Sequence, residues 1–238
     1  MDLRFRVFRF DPAVDKEPYY KTYNVTAEPA ERILDCLNKI KWRQDGSLGY
    51  RMSCAHGVCG SDGMRINGVC ALACQKLVRE YADQEEITLE PLPFFEVRKD
   101  LIVDMDDFLA RVDSMRPYLI PAGPPPEKER RQSPEEHVKM EDVIRCILCA
   151  CCTGACPVML ENPDYVGPAA LVWAYRYLYD SRDGEFLTRL ERLNDPNAVW
   201  PCANYFECTR VCPKKIPVTK SINFMKREIK KHLPESGK

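Results

Sequence analysis

The strongest constraint on this chain is a dense run of cysteines that begins at Cys146 and ends at Pro157. The run follows the spacing C-x2-C-x2-C-x3-C-P, with cysteines at Cys146, Cys149, Cys152 and Cys156. Three thiolates spaced in this way turn inward around one cubane iron–sulfur cluster, whereas the fourth, beside the proline, points toward a second cluster. A single run of this kind is therefore half of a two-cluster site.

A second run, from Cys202 to Pro213, repeats this spacing except that Tyr205 occupies the place of its second cysteine. Exchanging the fourth ligands between the runs gives a [4Fe–4S] site with four thiolates, namely Cys146, Cys149, Cys152 and Cys212. Three thiolates are left for the other site, namely Cys156, Cys202 and Cys208. They predict a [3Fe–4S] cluster, because the iron that would face Tyr205 has no ligand. Cys151 is not needed, and we interpret it as a small buried hydrophobe.

Zinc and disulfides are the alternatives for so many cysteines. Zinc favours four ligands in two close pairs, which seven crossed cysteines with two Cys-Pro ends match poorly. Disulfides require an oxidising compartment, and the sequence starts Met1-Asp2-Leu3-Arg4 without an apolar leader. An odd total of 13 cysteines, many in tight groups, therefore indicates metal chemistry in a reducing compartment.

The composition is that of a globular protein, with 45% apolar and 30% charged residues among 238. A net charge of −1 argues against a nucleic-acid-binding protein, which would need a basic surface. No segment reaches the roughly 18–20 apolar residues of a membrane-spanning helix, and Arg176 interrupts the best candidate at 169–179. We therefore expect membrane contact to be peripheral or to pass through partner subunits.

The first half of the chain predicts a small sheet and one helix. Alternating apolar and polar residues predict strands at 3–10, 21–25 and 86–90, the first two forming a hairpin. A helix is expected between Pro29 and Gly46, with Pro29 in its first turn and Cys36 packed in its buried side. The order strand, strand, helix, cluster loop, hairpin, strand is typical of a β-grasp ferredoxin module.

The cluster loop of this half runs from Ser53 to Gly63 and is rich in glycine. Cys54 and Cys59 in it begin the plant-type [2Fe–2S] pattern, C-x4-C-x2-C followed by a distal fourth cysteine. Asp62 stands at the third position, and Cys74 is the distal candidate. A carboxylate can ligate iron through oxygen, so this substitution is compatible with a cluster.

Two alternatives to Asp62 as an iron ligand are open. Cys70 could replace it as the third ligand, although it lies beyond the turn at Asn67-Gly68, and we favour Asp62 because it keeps the loop spacing. Asp62 could also be a solvated loop carboxylate that accepts hydrogen bonds from nearby N–H groups. We interpret His56 as a surface side chain rather than a ligand.

The second half of the chain is predicted to be all-helical. Apolar periodicity predicts helices at 107–115, 168–180, 185–193 and 218–233. A capping box at Ser133 and Glu136 predicts a further helix that leads to Cys146. The predicted fold class is therefore α+β, with a plant-type [2Fe–2S] domain over residues 1–104 and a helical bacterial-ferredoxin-like domain with two clusters over residues 105–238.

Three one-electron centres in one chain predict a role in electron transfer. The sequence has no G-x-G-x-x-G fingerprint and no phosphate-binding loop, so the two-electron chemistry is expected on another polypeptide. No paired carboxylates and no nucleophile with a base are arranged as in an active site. We therefore predict no catalytic residue in this chain.

Taken together, these motifs resemble the iron–sulfur subunit of succinate dehydrogenase and fumarate reductase, the respiratory complex II family. The resemblance rests on the N-terminal strand, 53–63, 72–74, 145–157, 162–170, 180–183 and 202–213. It implies that a flavoprotein subunit with covalent FAD exchanges electrons with the [2Fe–2S] cluster, and that these pass through the [4Fe–4S] to the [3Fe–4S] cluster. The last cluster would face a quinone at a membrane-anchor subunit, with or without haem.

The same resemblance suggests the quinone and its surroundings. Ubiquinone-using members have tryptophan immediately before the Asn-Pro that follows the first cysteine run, where this chain has Glu161. They also have histidine after the first cysteine of the second run, where this chain has Ala203. Both differences favour menaquinone. We expect Glu161 to relay a proton near the quinone, and Pro157 and Tyr205 to line the same pocket. Most members carry cysteine in place of Asp62, although some carry aspartate.

The expected location is the cytoplasmic face of a bacterial cell membrane, as a peripheral subunit. The alternative function is that of an iron–sulfur carrier subunit in a soluble fumarate reductase that uses no quinone. The sequence does not set the direction of turnover, because cluster surroundings determine the potentials.

Overall fold

A mixed five-stranded sheet forms the core of the N-terminal half. The computed structural model describes residues 1–233. Strands β1 (Asp2–Arg9) and β2 (Tyr19–Thr26) pair antiparallel, with Phe5 opposite Tyr23. Leu3, Phe5 and Val7 alternate toward the buried face of β1, as the period-two pattern predicts. The predicted hairpin is therefore confirmed.

Helix α1 (Ile33–Arg43) follows the hairpin and buries five residues, Ile33, Leu34, Cys36, Leu37 and Ile40. The packing expected for Cys36 is therefore confirmed. The prediction that Pro29 lies in the first turn is wrong, because the helix begins at Ile33 and part of the segment before it pairs with residues 76–79. The N–H of Ile33 donates to the carbonyl of Lys76, and the N–H of Arg79 donates to the carbonyl of Pro29.

The remaining strands complete the sheet around the cluster loop. Strands β3 (Gly63–Ile66), β4 (Val69–Leu72) and β5 (Ile87–Glu90) give the order β2-β1-β5-β3-β4, in which β5 runs parallel to β1. A separate two-stranded ribbon joins β6 (Val97–Lys99) to β7 (Ile102–Val103). The loop that contains Cys54 and Cys59 thus leads directly into β3, which fixes its C-terminal end.

Helices make up the second half. They are α2 (Asp106–Ser114), α3 (Pro134–His137), α4 (Cys151–Gly154), α5 (Val158–Glu161), α6 (Pro168–Leu178), α7 (Phe186–Leu193), α8 (Glu207–Arg210) and α9 (Val218–His232). Helix α6 is buried along most of its length and packs against α2 and α9. No helix among residues 1–233 is long and apolar enough to cross a membrane.

The capping box before Cys146 is present, but the long helix predicted after it is wrong. The hydroxyl of Ser133 accepts the N–H of Glu136, and the Glu136 carboxylate accepts the N–H of Ser133. Helix α3 nevertheless ends at His137, and a 3-10 turn at Val143–Arg145 precedes Cys146. Bonds from Met140 to His137 and from Val143 to Met140 have the tighter i to i+3 spacing, which does not propagate an α-helix.

The chain divides into two compact units. One comprises residues 1–105 together with 147–155, and the other comprises residues 106–146 together with 156 onward. Most of the first cysteine run therefore belongs to the unit that contains the sheet. The division into domains at 1–104 and 105–238 stays a prediction.

Candidate iron–sulfur sites

The loop after α1 surrounds the sulfur of Cys54 with backbone N–H groups. The N–H groups of His56, Val58 and Cys59 lie 3.5, 3.4 and 3.3 Å from Cys54 Sγ. Positive φ angles at Ala55, Gly57 and Gly60 give the backbone the tight curvature that this arrangement needs. The N–H of His56 and the thiol of Cys59 are the largest causes that lower the pKa of Cys54 to about 6. The loop therefore favours a thiolate, the form in which cysteine binds iron.

Asp62 is directed at Cys74 and is not a solvated loop carboxylate. Asp62 is only 3% exposed, and its carboxylate accepts the N–H of Cys74 at 2.5 Å. Burial raises the pKa of the Cys74 thiol to about 12, and the hydrogen bond and charge of Asp62 act in the same direction. An oxygen donor and a sulfur donor are thus adjacent, the donor pair expected for a site with one carboxylate ligand.

Cys70 has different neighbours within the same unit. It is buried in β4, and its sulfur lies beside Gly154, where an added Cβ would stand 3.4 Å from it. Its charge acts on the thiol of Cys151, whose pKa is raised chiefly by its hydrogen bond to Cys149 and by burial. Cys70 thus lies near the first cysteine run. Asp62 also acts on Cys149 of that run through its charge, but its carboxylate accepts the N–H of Cys74.

Cys151 is fully buried, as expected for a small hydrophobe, but it also has a polar role. Its thiol donates a hydrogen bond to the sulfur of Cys149, and this bond is the largest cause that lowers the pKa of Cys149. Cys151 therefore favours the thiolate form of a predicted ligand.

The two cysteine runs share one backbone conformation. In the first run Leu148 and Ala150 have positive φ angles of 52° and 61°, and in the second run Asn204 and Phe206, at the equivalent positions, have 61° and 62°. A four-residue helix follows in each case, α4 and α8. The second run thus keeps the conformation of a cluster-binding loop although Tyr205 replaces the cysteine equivalent to Cys149.

Three cysteines of the second unit line one pocket with an empty volume of about 290 Å³. They are Cys156, Cys202 and Cys208, the set predicted to hold the [3Fe–4S] cluster. Burial raises the pKa of the Cys156 thiol to about 11, and the charges of Cys202 and Cys208 contribute. In residues 1–233 no three ionisable side chains converge on a point that would hold a single metal ion. Three sulfur donors around a cavity fit a polynuclear cluster.

Of the three residues predicted near the quinone, two line the three-cysteine pocket and one does not. Pro157 and Tyr205 line this three-cysteine pocket, and Tyr205 is 51% exposed. Glu161 ends α5 with an exposed side chain and is not among the described residues that line the pocket. Ala203 lines it as well.

A buried threonine, Thr219, contacts this pocket and was not predicted. Thr219, in the first turn of α9, lines the pocket, and its hydroxyl lies 3.4 Å from the sulfur of Cys208. The hydroxyl of Thr209 donates to that of Thr219 at 3.1 Å. Burial raises the pKa of the Cys208 thiol, whereas hydrogen bonds from the Thr219 hydroxyl and from the backbone N–H of Thr209 oppose the shift. No spacing rule identifies Thr219, since its contact depends on how α9 packs beside α8.

The other predicted [4Fe–4S] ligands lie at the ends of short elements. Cys146 follows the 3-10 turn at Val143–Arg145, and Cys152 lies in α4. Cys212 follows α8, and its sulfur accepts the N–H of Ile216 at 3.4 Å. All three are partly exposed.

Comparison with known proteins decides the family. Residues 4–110 match the model of a 2Fe-2S iron-sulfur cluster binding domain, and residues 142–216 match that of a 4Fe-4S dicluster domain. The succinate dehydrogenase iron-sulfur subunit of Coxiella burnetii is 41% identical over 238 residues, covering 99% of this chain and 100% of that protein. The chain belongs to the family of succinate dehydrogenase and fumarate reductase iron–sulfur subunits.

Other members of this family give the same result. The succinate dehydrogenase iron-sulfur subunit of Paracoccus denitrificans is 40% identical over 94% of this chain and 86% of its own length. The fumarate reductase iron-sulfur subunit of Haemophilus influenzae is 37% identical over 93% of this chain and 90% of its own length. A chain of the Mycobacterium smegmatis Sdh1 complex in the apo form superposes with a TM-score of 0.86 at 25% identity, covering 99% and 98% of the two chains.

These comparisons confirm the predicted family, the α+β fold and the role of an iron–sulfur subunit in a succinate dehydrogenase or fumarate reductase. They also show that the chain contains domains for [2Fe–2S] and [4Fe–4S] clusters. Like these relatives, the chain is an iron–sulfur subunit of an oxidoreductase complex.

Proposed function

We propose that this chain carries electrons between the FAD of a flavoprotein subunit and a membrane quinone, in a succinate:quinone oxidoreductase. When bound, its three clusters supply a series of one-electron centres, [2Fe–2S], [4Fe–4S] and [3Fe–4S]. The observation that supports this most directly is the pocket in the second unit that is lined by Cys156, Cys202 and Cys208, with Tyr205 beside them.

The proposed [2Fe–2S] ligands are Cys54, Cys59, Asp62 and Cys74. The N–H groups around Cys54 stabilise a thiolate, and buried Asp62 directs its carboxylate at Cys74. The hydrogen bond from the N–H of Cys74 to the Asp62 carboxylate supports Asp62 over Cys70 as third ligand, and Asp62 also keeps the loop spacing. The chain thereby holds this site with three sulfur donors and one oxygen donor.

The other two ligand sets follow from spacing and backbone conformation. Cys146, Cys149, Cys152 and Cys212 are proposed to hold the [4Fe–4S] cluster by the crossed rule. For the [3Fe–4S] site, the positive φ angles at Asn204 and Phe206 support a loop that still wraps a cluster. Tyr205 supplies no thiolate, so only three donors are available.

The quinone end is proposed to lie beside the three-cysteine pocket. Pro157 and Tyr205 line that pocket, and the half-exposed ring of Tyr205 offers an apolar surface with a hydroxyl donor. Glu161, exposed at the end of α5, is proposed to relay a proton to a low-potential quinone such as menaquinone. The anchor subunit, with or without haem, would complete this site at the cytoplasmic face of a bacterial membrane.

Replacing Glu161 with Gln tests the proton relay. Quinone reduction by the complex should slow, and its pH dependence should change, because the amide cannot exchange a proton. Asp164→Asn is the matched control, since Asp164 is an exposed carboxylate three residues away. An E161Q complex with an unchanged pH profile would exclude Glu161 from the relay.

Low-temperature EPR of the anaerobically purified complex tests the proposed function. Oxidised [2Fe–2S] and [4Fe–4S] centres are silent, whereas an oxidised [3Fe–4S] centre is paramagnetic. We expect a near-isotropic signal of about one spin per chain in the oxidised sample, and further signals after reduction with dithionite. Signals only after reduction would mean that a fourth ligand fills the third site, and would favour the soluble carrier subunit over the quinone-linked one.

A further inference from the structure

The hydroxyl of Thr219 is held between a predicted cluster ligand and a second hydroxyl. Thr219 is 1% exposed, and its Oγ1 lies 3.4 Å from Cys208 Sγ and 3.1 Å from Thr209 Oγ1. Both Cys208 and Thr219 line the three-cysteine pocket. Thr219 and Cys208 are both buried, so water does not compete for the hydrogen bond between them.

The hydrogen bonds of Thr209 indicate which group donates and which accepts along the series Thr209, Thr219 and Cys208. The N–H of Thr219 is one of the first-turn donors of α9 that has no partner within the helix, and it donates to Thr209 Oγ1 at 3.0 Å. The hydroxyl of Thr209 therefore accepts this bond and directs its own proton to Thr219 Oγ1. The proton of the Thr219 hydroxyl is then available for Cys208.

An iron-bound thiolate carries no proton and can only accept. With a cluster bound, the Cys208 thiolate would accept and the Thr219 hydroxyl, 3.4 Å away, would be the donor. A bond to a charged acceptor is stronger than one between neutral groups, and the donation from Thr209 polarises the Thr219 hydroxyl further. Such a bond stabilises the more negative, reduced state of a cluster more than the oxidised state.

We propose that Thr219 raises the reduction potential of the [3Fe–4S] cluster by donating its hydroxyl hydrogen bond to the Cys208 thiolate. This inference rests on the [3Fe–4S] site of the proposed function. It adds a residue outside both cysteine runs that sets how readily the last centre in the series accepts an electron.

The test is a redox titration of the oxidised [3Fe–4S] EPR signal in the intact complex. Thr219→Val keeps the shape of the side chain and removes the donor. We expect the equilibrium constant for reduction to fall about tenfold, which for a one-electron couple is a shift of about 59 mV to lower potential. Thr219→Ser keeps the hydroxyl and should titrate at the wild-type potential.

Ser221 offers a matched control on the same helix. Ser221 is buried and its hydroxyl donates to the carbonyl of Pro217 at 3.2 Å, so Ser221→Ala removes a buried α9 donor whose hydrogen bond goes to a backbone carbonyl. S221A should leave the potential unchanged. A shift in S221A equal to that in T219V would overturn the proposal, because it would show a general effect of helix packing.

Two further outcomes are decisive. A T219V complex that keeps its signal and titrates at the wild-type potential overturns this inference alone and leaves the [3Fe–4S] site intact. Wild-type protein without the oxidised signal overturns the [3Fe–4S] site and this inference with it. Should T219V fail to assemble the cluster, the pair T219S and T219A poses the same question with smaller side chains, and equal potentials in that pair overturn the proposal.

Discussion

Gly60 lies against the first cysteine run so closely that a Cβ at this position would stand 2.9 Å from the Cβ of Cys149. The same added atom would be 2.9 Å from the carbonyl oxygen of Ile147. Gly60 also has a φ of +73°, which disfavours any side chain. The loop of the predicted [2Fe–2S] site and the run that contains Cys149 are therefore packed backbone to backbone within one unit.

This contact predicts that Gly60→Ala destabilises the protein more than its conformation alone would. Gly68 is the matched control, because its φ is +81° but its nearest neighbour to an added Cβ is 3.9 Å away. G68A should lose about 1 kcal/mol from the positive φ, which is roughly 2–4 °C in melting temperature for a chain of this size. G60A should melt several degrees lower than G68A in thermal denaturation monitored by circular dichroism. Equal melting temperatures would contradict the close packing.

The contact between Asp62 and Cys74 predicts which residue completes the [2Fe–2S] site. Asp62→Ala should lose this cluster, whereas Asp62→Cys should retain it because a thiolate restores the plant-type pattern. Cys70→Ala should retain it, since Cys70 contacts Gly154. The measurement is iron and sulfide content together with the EPR signal of the dithionite-reduced [2Fe–2S] centre. Loss of the cluster in C70A with retention in D62A would assign the third ligand to Cys70.

The position of Tyr205 predicts a change of cluster type on substitution. Asn204 and Phe206 on either side of it keep the positive φ angles of the cluster-binding run, so Tyr205→Cys would place a thiolate where the fourth iron is expected. The Y205C complex should lose the oxidised [3Fe–4S] signal and gain one iron per cluster. Tyr205→Phe is the control and should keep the signal. An unchanged signal in Y205C would place the missing-ligand position elsewhere.

A buried ion pair in the second unit predicts acid sensitivity. Arg189 Nη2 lies 2.7 Å from Asp183 Oδ2, and both side chains are almost fully buried. Burial by itself would raise the pKa of Asp183, but the hydrogen bonds from Arg189 and from the N–H groups of Ile120 and Glu185 lower it below its usual value. A carboxylate with a lowered native pKa contributes stability above its unfolded pKa of about 3.9, and this is lost as the pH falls through the native value.

Asp183→Asn should therefore destabilise the protein by about 1.5–3 kcal/mol at neutral pH, the contribution of hydrogen bonds to a charged group. The difference between wild type and D183N should be constant above about pH 5 and shrink below about pH 4, as wild-type Asp183 protonates. Glu185→Gln is the control, because the Glu185 carboxylate lies 3.9 Å from the Arg116 guanidinium and both side chains are about a third exposed. E185Q should change the free energy of unfolding by less than about 0.5 kcal/mol. A stability difference between wild type and D183N that grows on acidification would contradict a lowered pKa for Asp183.

Much of the site could be predicted from the sequence, because iron–sulfur ligands are spaced along short loops. The crossed spacing assigned Cys156, Cys202 and Cys208 to one site, and these three line one pocket. The strands and most helices followed from apolar periodicity, which short-range geometry enforces. The helix predicted to lead to Cys146 was wrong, since a correct capping box at Ser133 starts a helix but does not determine where it ends.

Only the tertiary structure decided the contacts between segments that are far apart in the chain. The approach of Gly60 to Cys149, the neighbours of Cys70, and the bond between Thr219 and Cys208 all depend on how separate elements pack. Cysteine spacing has no information about them, because a loop conformation is set by adjacent residues, whereas these contacts arise from burial of many side chains at once. The sequence by itself thus determined the family and the cysteine spacing, because both are local patterns along the chain, whereas packing determined which further groups surround each sulfur.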